Sequence, residues 1–487
     1  MEAGLPTDSS VCRAGWRRSS MLWTISGKIV FIPVEIKNRE WTAKVLLANY
    51  FLSKGYSVFL GMLWNMDAYT KGARHSCYVA KSLYRSSEKL FRELRGHDNY
   101  VIAWDEEGLI YDTDEHYVPQ QLYKETLLQC DTIVAWGDRH KKTIDSFIGN
   151  AVPVLSLGNP RIDLLNRSMA EKIYAEESAY IQEKYGSGYI LVNSNFVLVL
   201  REDYDYLEAI SSMNGETAES TAAANEYIRF QQALFPRFLA AIQRLSKEFP
   251  DKKIILRPHP QERVEEWQRR IAGCTNVFIE KDFSVNPWLL HAACVVHSGC
   301  TTGMEAVIMG KPALSYQPPL PMGYMDTVPD SVSQIARDEE SLLSLVRRCL
   351  AGEDVAGADA QKKQLIAYYV SADGNKSCCE RIAAAVDSHL SSGSCTFPYS
   401  FSAHLRDSLR RSSQQDFNVE FAHVTMDECR RDLERIKKAL GFSYSCRFVR
   451  LEDNEFLLLN KDTKLSRQVE KLEKLRRALR KKKHVQP

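Results

Sequence analysis

The sequence predicts an α/β protein with two parallel-sheet domains that face a cleft. Short apolar runs alternate with amphipathic segments of helical length, a pattern typical of βαβ units. This alternation occurs in two series of similar length. Polar and charged residues follow directly after several of the apolar runs. Because ligands of open parallel sheets bind beyond the carboxyl ends of the strands, these residues are the first candidates for function.

The overall composition is that of an ordinary globular protein. Of the 487 residues, 44% are hydrophobic and 26% are charged, which predicts two or three domains with ample core. The net charge of +2 argues against a general polyanion binder, so no nucleic-acid partner is expected. The twelve cysteines include no CxxC pair, which favours a reduced, cytoplasmic protein over a disulfide framework or a zinc site. No apolar run approaches the roughly 20 residues that span a bilayer.

The first series of strands and helices predicts an N-terminal Rossmann-like domain over residues 27–185. It starts with the apolar run GKIVFIPV, continues with a helix in REWTAKVLLANYFLSKGY and returns to a strand in SVFLG. A right-handed crossover makes such strands parallel. The pattern goes on through NYVIAW, DTIVAWG and VPVLSLGNP. Residues 1–26 are expected to form a disordered extension, in which Met21 is an alternative start to Met1.

The second series predicts a C-terminal Rossmann-like domain over residues 186–390. Its strands are expected in YILVNSNF, KKIILRPHP, TNVFIE, ACVVHSG and KPALSY. The polar stretch SSMNGETAESTAAANEY is expected to be a mobile loop that leads into a long helix. The two domains are joined near residues 165–188.

Residues 391–487 differ in character and are predicted to form a mostly helical extension with one β-like piece, CRFVRLEDNEFLLL. The extension ends in a basic segment with a narrow apolar stripe. One interpretation is a solvated helix that packs on the body of the protein or in a short coiled coil. The other is a basic amphipathic helix on an anionic membrane surface, which would place the protein at the inner face of the cytoplasmic membrane. The stripe consists of Leu465, Val469, Leu472, Leu475 and Leu479.

Two stretches of the second series point to phosphate chemistry. In ILRPHP, a strand runs into Arg257 and His259, and an imidazole there can donate a hydrogen bond to a phosphate or protonate a departing phosphate oxygen. The alternative is a rigid turn with a structural histidine. In VVHSGCTTGMEA, a tight turn precedes a helix, whose free N–H groups and neighbouring hydroxyls can hold a phosphate. The alternative is ordinary helix capping. The residues predicted here are Ser298, Thr301, Thr302 and Gly303 for the phosphate and Glu305 for a ribose hydroxyl.

The first series offers carboxylates in the segment WDEEG, which ends the strand NYVIAW. Asp105, Glu106 or Glu107 can deprotonate a sugar hydroxyl or attack an anomeric carbon as a nucleophile. Adjacent acids also raise one another's pKa. The alternative is a solvated acidic turn.

Further polar residues at strand ends are predicted to contact substrate or nucleotide. Loop stabilisation is the alternative for each of them. They are Glu35 and Arg39 after the first strand, Asn159 and Arg161 in LGNPRIDLL, and Asn193 and Asn195 in VNSNF.

With these motifs in order, the chain resembles glycosyltransferases of GT-B architecture, and more narrowly bacterial surface-carbohydrate biosynthesis proteins. Its motifs occur in the same order as those of the bacterial sialyltransferases and Kdo (3-deoxy-manno-octulosonate) transferases, which use CMP-sugars and which it resembles. Those enzymes carry a D/E-D/E-G motif in the N-terminal domain and an HP and a Ser/Thr-rich motif in the C-terminal domain. The resemblance covers roughly residues 27–390. The matching residues are Glu106-Glu107-Gly108 (preceded by Asp105), His259-Pro260, and Ser298 with Thr301-Thr302.

The resemblance implies a metal-independent transfer of Kdo or another ulosonic acid from a CMP-activated donor to a glycan or glycolipid acceptor, with no cofactor. It makes Glu106 the first choice for the catalytic carboxylate, with Asp105 and Glu107 as rivals. His259 and the Ser/Thr turn would hold and protonate the CMP phosphate. DEEG replaces the DDG common in sialyltransferases, which leaves open the donor, the catalytic acid and the stereochemical outcome.

Two other functions compete with this one. The first is a CDP-polyol phosphotransferase of teichoic-acid type, which would be expected to use a second histidine in the N-terminal domain. His116 and His140 are present there but belong to no strong motif. The second is a non-catalytic α/β scaffold of a polysaccharide-assembly complex, with the basic tail as its docking element.

Overall fold

The computed structural model describes residues 23–70, 73–111, 113–200, 218–325, 327–353, 355, 360–371, 376–390, 394–397, 423–452 and 454–460. Two large sheets dominate this part of the chain, one of eight strands and one of six. Each contains a parallel array with helices between successive strands. The predicted fold class, α/β with two Rossmann-like domains, is confirmed.

Seven of the parallel strands are buried at every position, as expected for strands that are covered by helices on both faces. Strand Ile29–Val34, for example, is buried at every position. The strands are β1 (Trp23–Ser26), β2 (Ile29–Val34), β3 (Ser57–Met62), β4 (Cys77–Ala80), β5 (Tyr100–Ala103), β6 (Thr132–Ala135), β7 (Val154–Ser156), β8 (Tyr189–Asn193), β9 (Ile254–Arg257), β10 (Val277–Ile279), β11 (Ala292–His297), β12 (Ala313–Tyr316), β13 (Gln334–Ala336), β14 (Ser394–Phe397), β15 (Cys446–Glu452) and β16 (Glu455–Asn460).

The helices lie between these strands, and within the described ranges none is long and apolar enough to cross a bilayer. A short 3-10 turn, Arg85–Ser87, precedes the third of them. The helices are α1 (Lys37–Ser53), α2 (Leu63–Thr70), α3 (Glu88–Gly96), α4 (Asp114–Gln121), α5 (Lys124–Leu127), α6 (Asp138–Ile148), α7 (Pro160–Asp163), α8 (Arg167–Ile173), α9 (Ala175–Tyr185), α10 (Val197–Leu200), α11 (Ala218–Glu248), α12 (Val264–Arg270), α13 (Val285–His291), α14 (Thr301–Ile308), α15 (Val328–Val332), α16 (Glu339–Leu350), α17 (Ala360–Tyr369), α18 (Cys378–His389) and α19 (Met426–Leu440).

The eight-stranded sheet has the order β15-β16-β3-β2-β4-β5-β6-β7, and the six strands from β3 to β7 in this order are parallel. The six-stranded sheet has the order β10-β9-β8-β11-β12-β13 and is parallel throughout. One connected apolar core includes residues of both sheets, such as Val30 of β2 and Leu191 of β8. The two domains therefore share buried packing.

The chain ends contribute more to the first domain than the sequence indicated. Strand β1 lies in the segment 1–26 that was expected to be disordered, and it pairs antiparallel with β14. Strands β15 and β16, from the predicted extension, add to the first sheet through antiparallel pairing of β16 with β3. Helix α18, assigned by the sequence to the second domain, packs on α1 and α7. Asp163 holds its first turn by accepting hydrogen bonds from the N–H groups of Cys378 and Cys379.

Helix α11 also begins earlier than expected, since residues 218–227 of the predicted mobile loop are helical. The rest of that loop up to residue 217 lies outside the described residues, as does the basic segment with its apolar stripe.

Candidate active site

Charged side chains cluster at the carboxyl edge of the first sheet. Strands β2, β4 and β5 are neighbours, and the residues that follow them are Glu35, Lys81 and the turn Trp104–Gly108. Because these strands are parallel, the three segments meet at one edge. Helix α1, which follows β2, lies over this edge and adds charged side chains of its own.

Glu106 is one of the nearly fully buried charges of this group. Its side chain is only 4% exposed. Lys44 Nζ lies 3.0 Å from Glu106 Oε1 and 4.1 Å from the centre of the Trp104 ring, and it pairs with the carboxylate as an ion rather than through an aligned hydrogen bond. The Trp104 indole N–H donates to Oε1 at 2.8 Å, and the Asn159 amide donates to Oε2 at 3.3 Å. Three elements of the first domain thus converge on one carboxylate.

Electrostatics keep Glu106 ionised. Burial raises its pKa, but the positive charges of Lys44, Arg161, Lys81 and Arg39 outweigh burial and hold the pKa well below its usual value. A carboxylate of such low basicity, with almost no exposed surface, is a poor general base. The catalytic role that the sequence predicted for Glu106 stays a prediction, and its described contacts are the ion pair with Lys44 and the hydrogen bonds from Trp104 and Asn159.

Asp105 points away from Glu106 into the interior. Tyr117 donates its hydroxyl to Asp105 Oδ2 at 2.6 Å, and the Glu107 N–H donates to Oδ1 at 3.1 Å. Burial raises the pKa of Asp105 to about 7, although both hydrogen bonds act in the opposite direction. Asp105 is only 1% exposed.

Glu107 is the carboxylate of the turn that reaches solvent. Its side chain is 50% exposed, and its Oε1 lies 2.6 Å from Arg39 Nη1. Arg39 also donates through Nη2 to the backbone oxygen of Glu106 at 2.9 Å. One guanidinium therefore holds both the turn and the outward-facing carboxylate.

The sequence analysis missed several charged residues of this edge: Lys44, Glu40 and Lys81. Lys81 Nζ contacts Glu35 and lies 3.0 Å from Glu40 Oε1, while the Glu35 N–H donates to Glu40 Oε2 at 3.0 Å. Two features of the sequence point to these charged residues. Lys81 directly follows an apolar strand, and Glu40 and Lys44 lie four residues apart among apolar positions of one helix.

His259, from the second domain, faces this charged edge. Its Nδ1 accepts the Gln261 N–H at 3.3 Å, so the neutral ring carries its proton on Nε2. Burial lowers its pKa to about 4, with further lowering by Lys281 and Arg39, while Glu107 acts in the raising direction. Arg39 and Glu107 belong to the first domain, so charges of that domain act on this imidazole of the second.

Arg257 serves the neighbouring loop. Its guanidinium donates to the carbonyl oxygens of residues 280, 282 and 283, at 3.4, 2.9 and 2.9 Å. Lys281 of that loop donates in return to the carbonyl oxygens of Pro260 and Glu262, at 3.0 and 2.6 Å. Arg257 therefore holds the neighbouring loop through backbone carbonyls, and its predicted contact with a phosphate stays a prediction.

The turn after β11 is built around His297. Gly299 adopts φ +67°, and its N–H donates to Asp330 Oδ1 at 3.1 Å. A Cβ on Gly303 would lie 2.3 Å from the ring of His297, so this glycine is needed for packing against the imidazole. His297 is fully buried, and its Nε2 lies 2.8 Å from Ser333 Oγ. Burial lowers the pKa of His297 to about 4.

The start of α14 is the segment that the sequence predicted to hold a phosphate. Cys300 occupies the position before the first helical residue, and no described side chain caps the helix. Asn193, at the end of β8, donates its amide to Thr302 Oγ1 at 3.0 Å, while its buried Oδ1 has no hydrogen-bond partner among the described residues. Ser298 is buried beside it and Thr301 is partly exposed. Asn195 is also partly exposed on the loop after β8.

Arg161 joins the two domains. Its Nη2 donates to Glu305 Oε1 at 3.1 Å, and its guanidinium lies 5.6 Å from the centre of the Trp136 ring. Asn159 caps the same short helix, α7, by accepting the Arg161 N–H at 2.9 Å. The structure therefore places the proposed ribose ligand Glu305 in an interdomain ion pair. Of the two proposed substrate residues, Asn159 donates a hydrogen bond to Glu106, and the positive charge of Arg161 lowers the pKa of Glu106.

The chain's similarity to known proteins is confined to structure. No protein-family model and no curated protein matches it. It is similar to a protein assigned as a UDP-N-acetylglucosamine 2-epimerase from Listeria monocytogenes, with a TM-score of 0.48, 13% identity, and coverage of 75% of this chain and 96% of that one. It is also similar to the wall teichoic acid polymerase TagF, with a TM-score of 0.42, 12% identity, and coverage of 75% of this chain and 89% of that one. For the UDP-GlcNAc 2-epimerase of Methanocaldococcus jannaschii the TM-score is 0.38 and the identity 13%, with coverage of 72% of this chain and 81% of that one. Similarities at this level carry no argument about the activity of this chain.

The pairing of Lys44 with Glu106 can be tested by double substitution. Lys44→Met removes the nearest cation from a buried carboxylate, so the free energy of unfolding should fall by about 3 kcal/mol. Adding Glu106→Gln removes the buried charge, and the double variant should regain most of that loss. Urea denaturation of the four proteins measures the coupling. A double variant no more stable than Lys44→Met would contradict the assignment.

Asp105 should make stability depend on pH. Its folded pKa of about 7 lies above the unfolded value of about 4, so the folded state binds the proton more tightly. Ionisation of Asp105 therefore costs stability as pH rises from 4 to 7. Asp105→Asn removes this cost, and its stability relative to the wild type should increase by up to about 4 kcal/mol between pH 4 and pH 8. Denaturant midpoints across this range test it, and a difference independent of pH would refute it.

Proposed function

We propose that this chain is a glycosyltransferase that moves a sugar from a nucleotide-activated donor to a hydroxyl acceptor. One observation carries the proposal. The exposed carboxylate of Glu107, after β5, raises the pKa of the His259 imidazole, after β9, and the Arg161–Glu305 ion pair joins the same two domains. A base for an acceptor hydroxyl and a proton donor for a leaving phosphate must face each other across a cleft in this way.

Glu107 is the reacting carboxylate in this proposal. It is half exposed, whereas Glu106 and Asp105 are almost fully buried and bound by other side chains. Arg39 holds Glu107 in place, and the Asp105 side chain holds its backbone N–H. The carboxylate can accept the proton of an acceptor hydroxyl or attack the anomeric carbon, and the geometry supports Glu107 for either role.

The donor phosphate would lie between His259 and the start of α14. His259 presents its Nε2–H, and the hydroxyls of Ser298 and Thr301 and the first N–H groups of the helix are donors of the kind that bind phosphate. Asn193 can turn its amide so that the N–H₂ group donates as well. A bound phosphate would raise the pKa of His259, which favours the protonated ring that a leaving group requires.

The donor is a CMP-activated ulosonic acid such as Kdo, and the acceptor a glycan or glycolipid of the cell surface. The order of the DEEG, HP and SGCTT motifs supports this choice. The competing CDP-polyol phosphotransferase needs a second histidine that reaches substrate. His140 is 1% exposed and hydrogen-bonded to Tyr117, which disfavours this role for His140, while the side chain of His116 lies outside the part of the chain that is described.

Nucleotide binding and turnover test the proposal together. CMP should raise the melting temperature more than CDP or UDP, and the protein should release CMP from CMP-Kdo or CMP-sialic acid. Glu107→Gln should lower release at least 100-fold and leave CMP binding intact, because only the base is lost. His259→Ala should weaken CMP binding about tenfold or more.

Glu125→Gln, an exposed acid on α5, is the matched control and should behave as wild type. Loss of release in Glu106→Gln together with full release in Glu107→Gln would assign the chemistry to Glu106. Binding of CDP alone would favour the phosphotransferase, and binding of no nucleotide would favour the scaffold.

We also propose that the basic segment at the C-terminus binds the inner face of the cytoplasmic membrane. The alternation of basic residues with the stripe Leu465 to Leu479 supports this role. Deleting residues 464–487 should abolish sedimentation with phosphatidylserine vesicles and leave the weak sedimentation with phosphatidylcholine vesicles unchanged, since each basic residue near an anionic surface contributes about 1 kcal/mol. Equal binding before and after deletion would contradict the proposal.

A further inference from the structure

Behind the WDEEG turn, a chain of hydrogen bonds runs from helix α6 to the backbone of Glu107. His140 Nε2 lies 2.8 Å from the hydroxyl oxygen of Tyr117. Tyr117 donates that hydroxyl to Asp105 Oδ2 at 2.6 Å. Asp105 Oδ1 accepts the Glu107 N–H at 3.1 Å. Side chains from two helices, α4 and α6, are thereby connected to the backbone of Glu107, the residue that carries the exposed carboxylate.

The direction of each bond in this chain is consistent. The Trp136 N–H donates to His140 Nδ1 at 3.4 Å, so the neutral ring carries its proton on Nε2. That Nε2–H can only donate, and its acceptor is the Tyr117 oxygen. The single phenolic proton is then committed to Asp105. Every donor and acceptor between α6 and Glu107 has one assigned role.

Packing also ties His140 to the turn. A Cβ on Gly108 would lie 2.3 Å from the Cε1 atom of His140, so the glycine of WDEEG is needed to admit the ring. The Trp136 indole N–H donates to the backbone oxygen of Asp105 at 2.7 Å. His140 and Tyr117 therefore lie against the turn from its buried side, while Arg39 holds it from the exposed side.

We propose that Tyr117 and His140 are positioning residues for Glu107 that act through Asp105. This inference rests on the function proposed for Glu107. In it, Asp105 is the internal acceptor that fixes the backbone of the reacting carboxylate, and Tyr117 and His140 keep that acceptor in its ionised, double-accepting form.

Of the three hydrogen-bonded side chains Asp105, Tyr117 and His140, Asp105 is the one that changes charge near neutral pH. Burial holds the pKa of His140 at about 3 and that of Tyr117 well above its usual value, so both stay neutral, whereas burial raises the pKa of Asp105 to about 7. A protonated Asp105 would carry a hydrogen on one of its two accepting oxygens and lose one of its bonds. Glu107 should therefore be held firmly only above about pH 7. The titratable groups that act on Asp105 are Glu106 and Glu107 of its own turn, Tyr117 of α4, and Tyr84 before α3.

A first experiment observes Asp105 directly in the full-length protein. With ¹³C-carboxyl aspartate labelling, the signal absent in Asp105→Asn should titrate near pH 7. Tyr117→Phe removes a bond that stabilises the ionised form, so the titration should move to higher pH. Tyr111→Phe is the matched control, because its ring stacks on Tyr117 while its hydroxyl contacts Thr143. Titration at the ordinary value near 4, or an equal shift in both variants, would overturn the proposal.

A second experiment measures CMP release from CMP-Kdo. Tyr117→Phe and His140→Leu should lower kcat at least tenfold with KM within twofold, and should move the rising limb of the pH profile upward. His140→Gln keeps an N–H near the Nε2 position and should restore most of the activity, while Tyr111→Phe should match wild type. Changed melting temperature with an unchanged pH profile would reduce Tyr117 and His140 to structural residues. No CMP release by the wild type would overturn the proposed function, and the positioning role with it.

Discussion

The buried negative charge of Glu106 is the constraint on which the arrangement of the site depends. An unpaired carboxylate in a protein interior would cost several kcal/mol, so its partners must be present together. Lys44 from α1, Trp104 from the end of β5 and Asn159 from the start of α7 supply an ion pair and two hydrogen bonds. Because each partner belongs to a different element, satisfying this one charge fixes how the first helix and the strand ends pack.

Around that fixed charge, three adjacent acids acquire three different properties. Asp105 is enclosed and basic, Glu106 is enclosed and strongly acidic, and Glu107 is exposed beside Arg39. Their chemical type is nearly identical, so the differences come only from burial and neighbouring charges. The same turn can therefore contain an internal acceptor, a structural anion and a carboxylate available to a ligand.

Much of the fold was predictable, because parallel strands covered on both faces leave continuous apolar runs in the sequence. The positions of Asp105, His259 and Ser298 at strand ends followed from the same pattern. Which acid is exposed did not, since it depends on Lys44 and Asn159, residues about 60 and 50 positions away from Glu106 along the chain. The addition of β15 and β16 to the first sheet was missed for a similar reason, because residues some 400 positions apart form that pairing.

Arg257 illustrates the limit of motif reasoning. A cation before His-Pro at a strand end is what a phosphate site requires, yet its donors are directed to the carbonyl oxygens of the next loop. Every residue has a backbone carbonyl, so the sequence does not show which carbonyls lie near a given arginine in the fold and accept its hydrogen bonds. The motif still matters, because Arg257 and Lys281 hold two loops to each other and thereby fix the turn of His259.

The ion pair between Arg161 and Glu305 relates the two domains to the same central charge. Arg161 is among the cations that lower the pKa of Glu106, and it also donates to Glu305 on the helix whose start forms the proposed phosphate site. One guanidinium is thus shared between the charge that organises the first domain and the helix that would bind the donor in the second. A separation of the domains would break the contact between Arg161 and Glu305. The position of this one side chain therefore affects both the contact between the domains and the charge that surrounds Glu106 in the WDEEG turn.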